Sequence, residues 1–159
     1  MSVTMKSSDA LAARLAAIAP EIKGRLIPAL TKSAQEVAGR AEALAEASRR
    51  TGSLIDSIVV TKPGETTPAY AEGGASVQAG ELQALVTVGN TDARHGHLVE
   101  FGTEPRQHKD GSSTGKMPAQ PFLLPAWRLS KTRVDRRINR AIREGIKAAA
   151  GAGNGGGDA

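Results

Sequence analysis

Cysteine is absent from this chain, and aromatic residues are nearly so: two Phe, one Tyr and one Trp among 159 residues. Without cysteine there can be no disulfide, no thiolate metal site and no thiol nucleophile, which fits a reducing compartment. With so few aromatics there is little to stack on the bases of a single-stranded nucleic acid. The core is thin for the same reason. The hydrophobic fraction is 40%, but much of it is alanine, which buries little area per residue. A thin core gains stability from neighbouring subunits and so hints at an oligomer. Long apolar runs are also missing: nothing approaches the roughly 18 residues of a membrane span. The N-terminal "MSVTMKSSDALAARLAAIAP" is interrupted by Arg14 and does not have the form of a secretion signal. The expectation is a soluble protein made in the cytoplasm, with no membrane partner and one domain at this length.

What the chain does have is positive charge in one place. The formal net charge is +5. Between Pro121 and Ala150 there are eight Lys/Arg and two Asp/Glu, a balance of +6, so the rest of the chain nets −1.

Periodicity gives a helical beginning, an extended middle and a helical end. "SSDALAARLAAI" reads as a short helix with Ser8 or Asp9 as its N-cap and Leu11, Leu15 and Ile18 on one face. Pro20 ends it or opens the next helix, which runs from Glu21 to Arg50 with a kink or break expected at Pro28. Its stripe is Leu30, Ala34, Val37, Ala41 and Leu44. "LIDSIVVTK" reads as a strand. "SVQAGELQALVTVGN" holds a second and a third candidate strand, strongest over Leu82 to Val88, with a tight turn at Ala79-Gly80. Glu104 to Gln120 is polar and flexible in composition. From Pro121 a final helix repeats Val134, Ile138, Ile142 and Ile146, with Ala141 and Gly145 beside them. Helices, then strands, then a helix is an α+β order: a long N-terminal helix, a small antiparallel sheet and a C-terminal amphipathic helix. The domain is drawn over residues 1–148, followed by a disordered glycine-rich tail, 149–159.

Several stretches suggest chemistry and fail on geometry. His95, His97 and Glu100 in "HGHLVE" do not share a face on either a strand or a helix, so no metal site is assigned. "GSSTGKM" encloses three residues between Gly111 and Gly115 where a phosphate-binding loop needs four, and Met117 follows Lys116. No nucleophile elbow is present. The reading is of a protein that is not an enzyme and takes no cofactor. The basic residues of the last helix, Arg133, Arg136, Arg137, Arg140, Arg143 and Lys147, are either a solvated face or a surface for DNA phosphates or an acidic partner. No sequence-reading motif accompanies them.

Three elements remain: "TGSLIDSI" from Thr51 to Ile58, "LVEFGT" from Leu98 to Thr103, and "PAQPFLLPA" from Pro118 to Ala126. In this order, between a long helix and an amphipathic one, they resemble the small neck, or tail-component, family of long-tailed bacteriophages. The chain departs from that pattern at His95 or His97, where an aromatic residue is frequent, and in a longer polar insert from Gln107 to Lys116. The resemblance implies a structural virion protein of the phage neck. It would be a homo-oligomeric ring around the DNA channel, joining head-connector and tail proteins, with double-stranded DNA passing non-specifically. The alternative from another class is a free, non-specific double-stranded DNA-binding protein. The structural motif positions are Thr51, Gly52, Leu54, Ser57, Ile58, Glu100, Phe101, Gly102, Thr103, Pro118, Pro121, Phe122 and Pro125.

Physical reasoning assigns parts to several of them. Gly102 takes a positive φ and turns the chain. Leu98, Val99 and Phe101 pack on the sheet. Glu100 accepts hydrogen bonds at the turn, from Thr103 among others, or sits at a subunit contact. Pro118 and Pro121 keep the chain extended. Phe122, Leu123 and Trp127 anchor the last helix, whose first turn accommodates Pro125.

Overall fold

The computed structural model describes residues 6–48, 52–69, 75–91, 93–105, 107–113 and 115–152, with the side chains of 6–18, 48 and 152 left out. Two long helices dominate. α1 spans Lys6–Ala45 and α4 spans Leu123–Ala152. Between them lie a one-turn helix α2 (Ser53–Asp56), strands β1 (Ile58–Thr61) and β2 (Leu85–Val88), and a short helix α3 (Gly96–Phe101). The strands pair antiparallel, with Ile58 opposite Val88 and Thr61 opposite Leu85. The architecture is the α+β arrangement expected from element order.

α1 and α4 lie side by side in opposite directions. Ile22 of α1 meets Gly145 of α4, whereas Arg40, farther along α1, donates to the backbone carbonyl of Leu129 at the other end of α4. Alanine makes this approach close. Ala29 and Ala141 share one apolar cluster with Leu26, and Ile22, Leu30, Ile138 and Ile142 pack around it. A second cluster joins the far end of α1 to the sheet and to the start of α4: Ala38, Ala41, Ala45, Ile58, Val99, Phe122 and Ala126. Phe122 is 1% exposed and is the only large apolar side chain so fully enclosed among the described residues.

Four sequence expectations are corrected. First, the expected pair of N-terminal helices is one helix, which carries Pro20 and Pro28 in its interior. An interior proline costs roughly 3 kcal/mol, but Leu26, Ala29 and Leu30 pack on α4 on both sides of Pro28 and hold the helix together.

Second, "LIDSIVVTK" is not all strand. Gly52 adopts the left-handed conformation with φ 91, Ser53–Asp56 form a helical turn, and the strand starts only at Ile58. In the next stretch, the strand is confined to Leu85–Val88. The turn there falls over Gly80–Gln83, closed by the Gln83 amide on the Gly80 carbonyl at 3.1 Å.

Third, the four-residue repeat of α4 does not all face inward. Each step of four advances about 40° around a helix of 3.6 residues per turn. By Ile146 the drift has carried the side chain out to solvent, while Val134, Ala141 and Ala149 are buried. α4 also continues to Ala152; the glycine-rich remainder, 153–159, lies outside the described residues.

Fourth, the polar stretch after Thr103 has form. Isolated antiparallel bridges pair Thr103 with Met117 and Gln107 with Ser113. Its tip is closed by the His108 amide on the Ser112 carbonyl at 2.8 Å. Asp110 accepts from both the amide and the hydroxyl of Ser112, at 2.9 and 2.6 Å.

Candidate functional site

Two sites emerge, a joint built from the three sequence elements and a charged seam along α1 and α4. The joint starts from a problem every helix has: its first backbone N–H groups lack partners inside the helix. At the start of α4, Glu100 supplies them. Its carboxylate accepts the Phe122 amide at 2.8 Å, the Leu123 amide at 2.9 Å and the Leu124 amide at 2.9 Å. Pro125 has no N–H to satisfy, and the Ala126 amide bonds to the Phe122 carbonyl at 3.2 Å. Proline at this position therefore costs no hydrogen bond. A carboxylate at the helix N-terminus is also favoured by the helix dipole. Glu100 is 6% exposed.

The donors differ from those expected for Glu100. Thr103 Oγ1 does not serve it; that oxygen accepts the Met117 amide at 3.1 Å. Burial of Glu100 within its own chain replaces the expectation that it meets another subunit. α3 is what aims it. In a helix, Gly96, Val99 and Glu100 share one face, and all three are buried. Phe101 then points the other way and is 69% exposed, against the expectation that it packs on the sheet. Gly102 stops α3 with φ 73. A Cβ there would stand 2.8 Å from both the Ala119 nitrogen and the Met117 oxygen. That closeness lets the Thr103 amide reach the Met117 carbonyl at 2.9 Å and the Gln120 amide reach the Val99 carbonyl at 2.8 Å. Pro118 and Pro121 flank this non-helical, exposed approach to α4.

The first element arrives from the sheet side. Ser57 is fully buried and its hydroxyl donates to the Leu54 carbonyl at 2.7 Å. Ile58 packs with Val99 and Phe122, one residue from each element, and Leu54 lies against the same cluster. The three elements are thus parts of one joint. Thr51 lies outside the described residues. Trp127 is only half-covered; it lines a groove of about 330 Å³ with Leu30, Val37, Leu85 and Val134.

The seam runs on another side of the helix pair. Glu36 on α1 receives Arg137 at 2.6 Å, Arg133 at 3.1 Å and Arg40 at 3.3 Å. Arg137 also donates to Ser33 at 2.9 Å. The hydrogen bond from Arg137, with the charges of Arg133, Arg137 and Arg40, holds the Glu36 carboxyl below the ordinary glutamate range despite its partial burial. Arg133 and Arg137 both pair with Glu36, Arg137 largely covered and Arg133 with most of its side chain still open to solvent. Arg136, Arg140, Arg143 and Lys147 make no ion pair among the described residues and are exposed. Beside the Glu36 cluster an open cleft is lined by Arg25, Lys32, Arg137, Arg140 and Glu144, with Pro28, Ala29 and Ala141 as its apolar part. Arg25 and Glu144 approach only to 4.0 Å.

The α1 half of this seam was missed in the sequence, although its signal is there. Arg25, Lys32, Glu36 and Arg40 recur at spacings of seven, four and four, one face of a helix. His95 and His97 are exposed, and no group of three His, Asp or Glu among the described residues is placed to hold a metal ion. Among those residues no helix is long and apolar enough to cross a membrane.

A family model described as "Bacteriophage HK97-gp10, putative tail-component" matches residues 9–102, more than half of the chain. The matched span holds the first element and most of the second, ending at Gly102 where α3 stops. No curated protein and no solved structure matches the chain.

Proposed function

The chain belongs to the HK97-gp10-like family of bacteriophage tail components, and from that premise we propose that it is a structural protein of the phage neck. In this reading it joins the head connector to the tail as a homo-oligomeric ring around the DNA channel, with its own copies, connector proteins and tail proteins as partners. The observation that carries it is the family match over α1, the sheet and α3. The family is one of structural tail components, which agrees with a chain whose three ordered sequence elements build a joint.

Two features support an assembled state. Large apolar side chains stand exposed around the joint end of the molecule: Phe101, Leu124, Trp127 and Leu129, the last 64% exposed. Among the described residues the sheet has two strands, each paired on one side only, and open strand edges pair readily with other chains. Closed rings arise when one surface patch meets a different patch on the next copy.

The test is electron microscopy of lysates from phage with a stop codon in this gene. Filled heads and finished tails lying apart, or tails of abnormal length, are expected. Normal infectious particles would sink the reading. The second reading, a free binder of duplex DNA, is favoured by the charged seam alone and predicts DNA binding that serves no particle.

A further inference from the structure

We propose that the seam between α1 and α4 is a binding surface for the phosphate backbone of duplex DNA. The proposal rests on the neck reading for its biological setting and deepens it by naming the face that meets the DNA.

The charge balance comes first. Along the seam, six cations (Arg25, Lys32, Arg40, Arg133, Arg137 and Arg140) face two carboxylates, Glu36 and Glu144. At Glu36, three guanidiniums converge on one carboxylate. The internal ion pairs thus hold these arginines in place without neutralising them. Arg136, Arg143 and Lys147 extend the positive face outward from Arg140, at helical spacings of three and four.

Shape comes second. From Arg25 to Arg40 the seam runs ~22 Å along a helix, at about 1.5 Å per residue. A duplex presents one charge per roughly 1.7 Å of its axis, both strands counted, so a seam of this length is long enough to lie against several phosphates. The cleft itself is open and lies on the side of the helix pair away from the sheet, whose residues appear in the separate Trp127 groove.

What lines the cleft decides among anions. Its apolar residues are Pro28, Ala29 and Ala141. None is a large aromatic anchor of the kind that often dominates a protein interface. No aromatic ring stands there to stack on the bases of a single strand. Arginine and lysine without base-reading partners bind phosphates and ignore sequence.

The experiment uses the purified full chain and a fluorescent 30-base-pair duplex of mixed sequence, with anisotropy followed from 50 to 200 mM salt. Neutralising about four phosphates gives a slope of log K against log salt near −3.6, at roughly −0.9 per phosphate. The triple variant Lys32→Gln/Arg140→Gln/Arg143→Gln should flatten it by about 2.7 on the same constant. Lys62→Gln/Lys116→Gln/Lys131→Gln removes equal charge elsewhere and should leave the slope nearly unchanged. Arg143→Gln alone, on the outer surface of α4, should give a smaller change in the same direction and serves if the triple variant does not fold. Equal losses in both triple variants would overturn the proposal, as would a slope shallower than about −1 in the unaltered chain. Binding of poly-glutamate that depends on the seam, with duplex binding indifferent to it, would also overturn it, in favour of an acidic protein partner. Failure here with heads and tails separated in the stop-codon phage leaves the neck reading standing. A seam-dependent slope with normal stop-codon particles does the reverse.

Discussion

Glu100 of α3 and Phe122, the residue that precedes α4, are joined by a 2.8 Å bond from the Phe122 amide to the Glu100 carboxylate, across 22 positions of chain. This bond and its two neighbours tie a six-residue helix to the start of a thirty-residue one. The ring of Phe122 then enters the core beside Ile58 and Val99. Capping and core packing are one arrangement here, because the residue whose amide is capped is the residue whose side chain is buried.

Replacing Glu100 by Ala should lower stability by about 2–4 kcal/mol, since several backbone N–H groups lose their acceptor together. Gln keeps an acceptor oxygen and loses the charge, so Glu100→Gln should cost less than Ala does. Urea unfolding of both variants measures this. A loss below about 0.5 kcal/mol for Ala would show that the cap does not stabilise α4.

Gly102→Ala should be as damaging by a different route. The backbone at φ 73 is strained for any residue with a Cβ, and that Cβ would fall 2.8 Å from two backbone atoms. The conformational part alone is worth about 1–3 kcal/mol. A thermal melt within a degree of the unaltered protein would refute the turn's role.

Glu36 makes the molecule sensitive to acid. Its carboxyl titrates below the ordinary value in the folded state, so the unfolded chain takes up the proton first as pH falls. The contribution of its arginine pairs is therefore complete above the unfolded glutamate value of about 4.3. It is lost as pH drops through the lower folded-state value. At pH 7, Glu36→Gln should cost roughly 1–2 kcal/mol, between an exposed pair and a buried one. The gap in urea midpoint between the two proteins should close from pH 5 to pH 3; a gap independent of pH would contradict the assignment.

Two helical glycines should respond oppositely to alanine. At Gly145 the new Cβ would stand 2.7 Å from the Ile22 Cα, so the helices must separate, at about 1–3 kcal/mol. At Gly39 nothing lies within 4 Å, and Ala should stabilise by up to about 1 kcal/mol through helix propensity. Melting temperatures that move the same way in both variants would argue against close packing of α1 on α4.

Much of the fold and of the joint is legible in the sequence. The order of elements, the basic last helix, the turn at Gly102 and the place of Pro125 follow from local chemistry, as does the resemblance carried by the three elements. Local chemistry misleads where long-range packing outweighs it. Two prolines do not break α1, because α4 holds it from the side. Ile146 leaves the core, because a repeat of four is not the period of a helix. Phe101 lies outside because α3 is a helix whose inward face is already taken by Val99 and Glu100.

Periodicity, turn chemistry and charge are properties of neighbours along the chain. They suffice to make this an α+β protein with one basic helix and three ordered motifs. What those residues do to one another was settled by packing. It assigned Glu100 to the amides of α4, Arg133 and Arg137 to Glu36, and Arg25 and Lys32 to the same cleft as Arg140. Each of these pairs residues from separate elements, and their meeting depends on how two helices pack, which spacing along one of them does not contain.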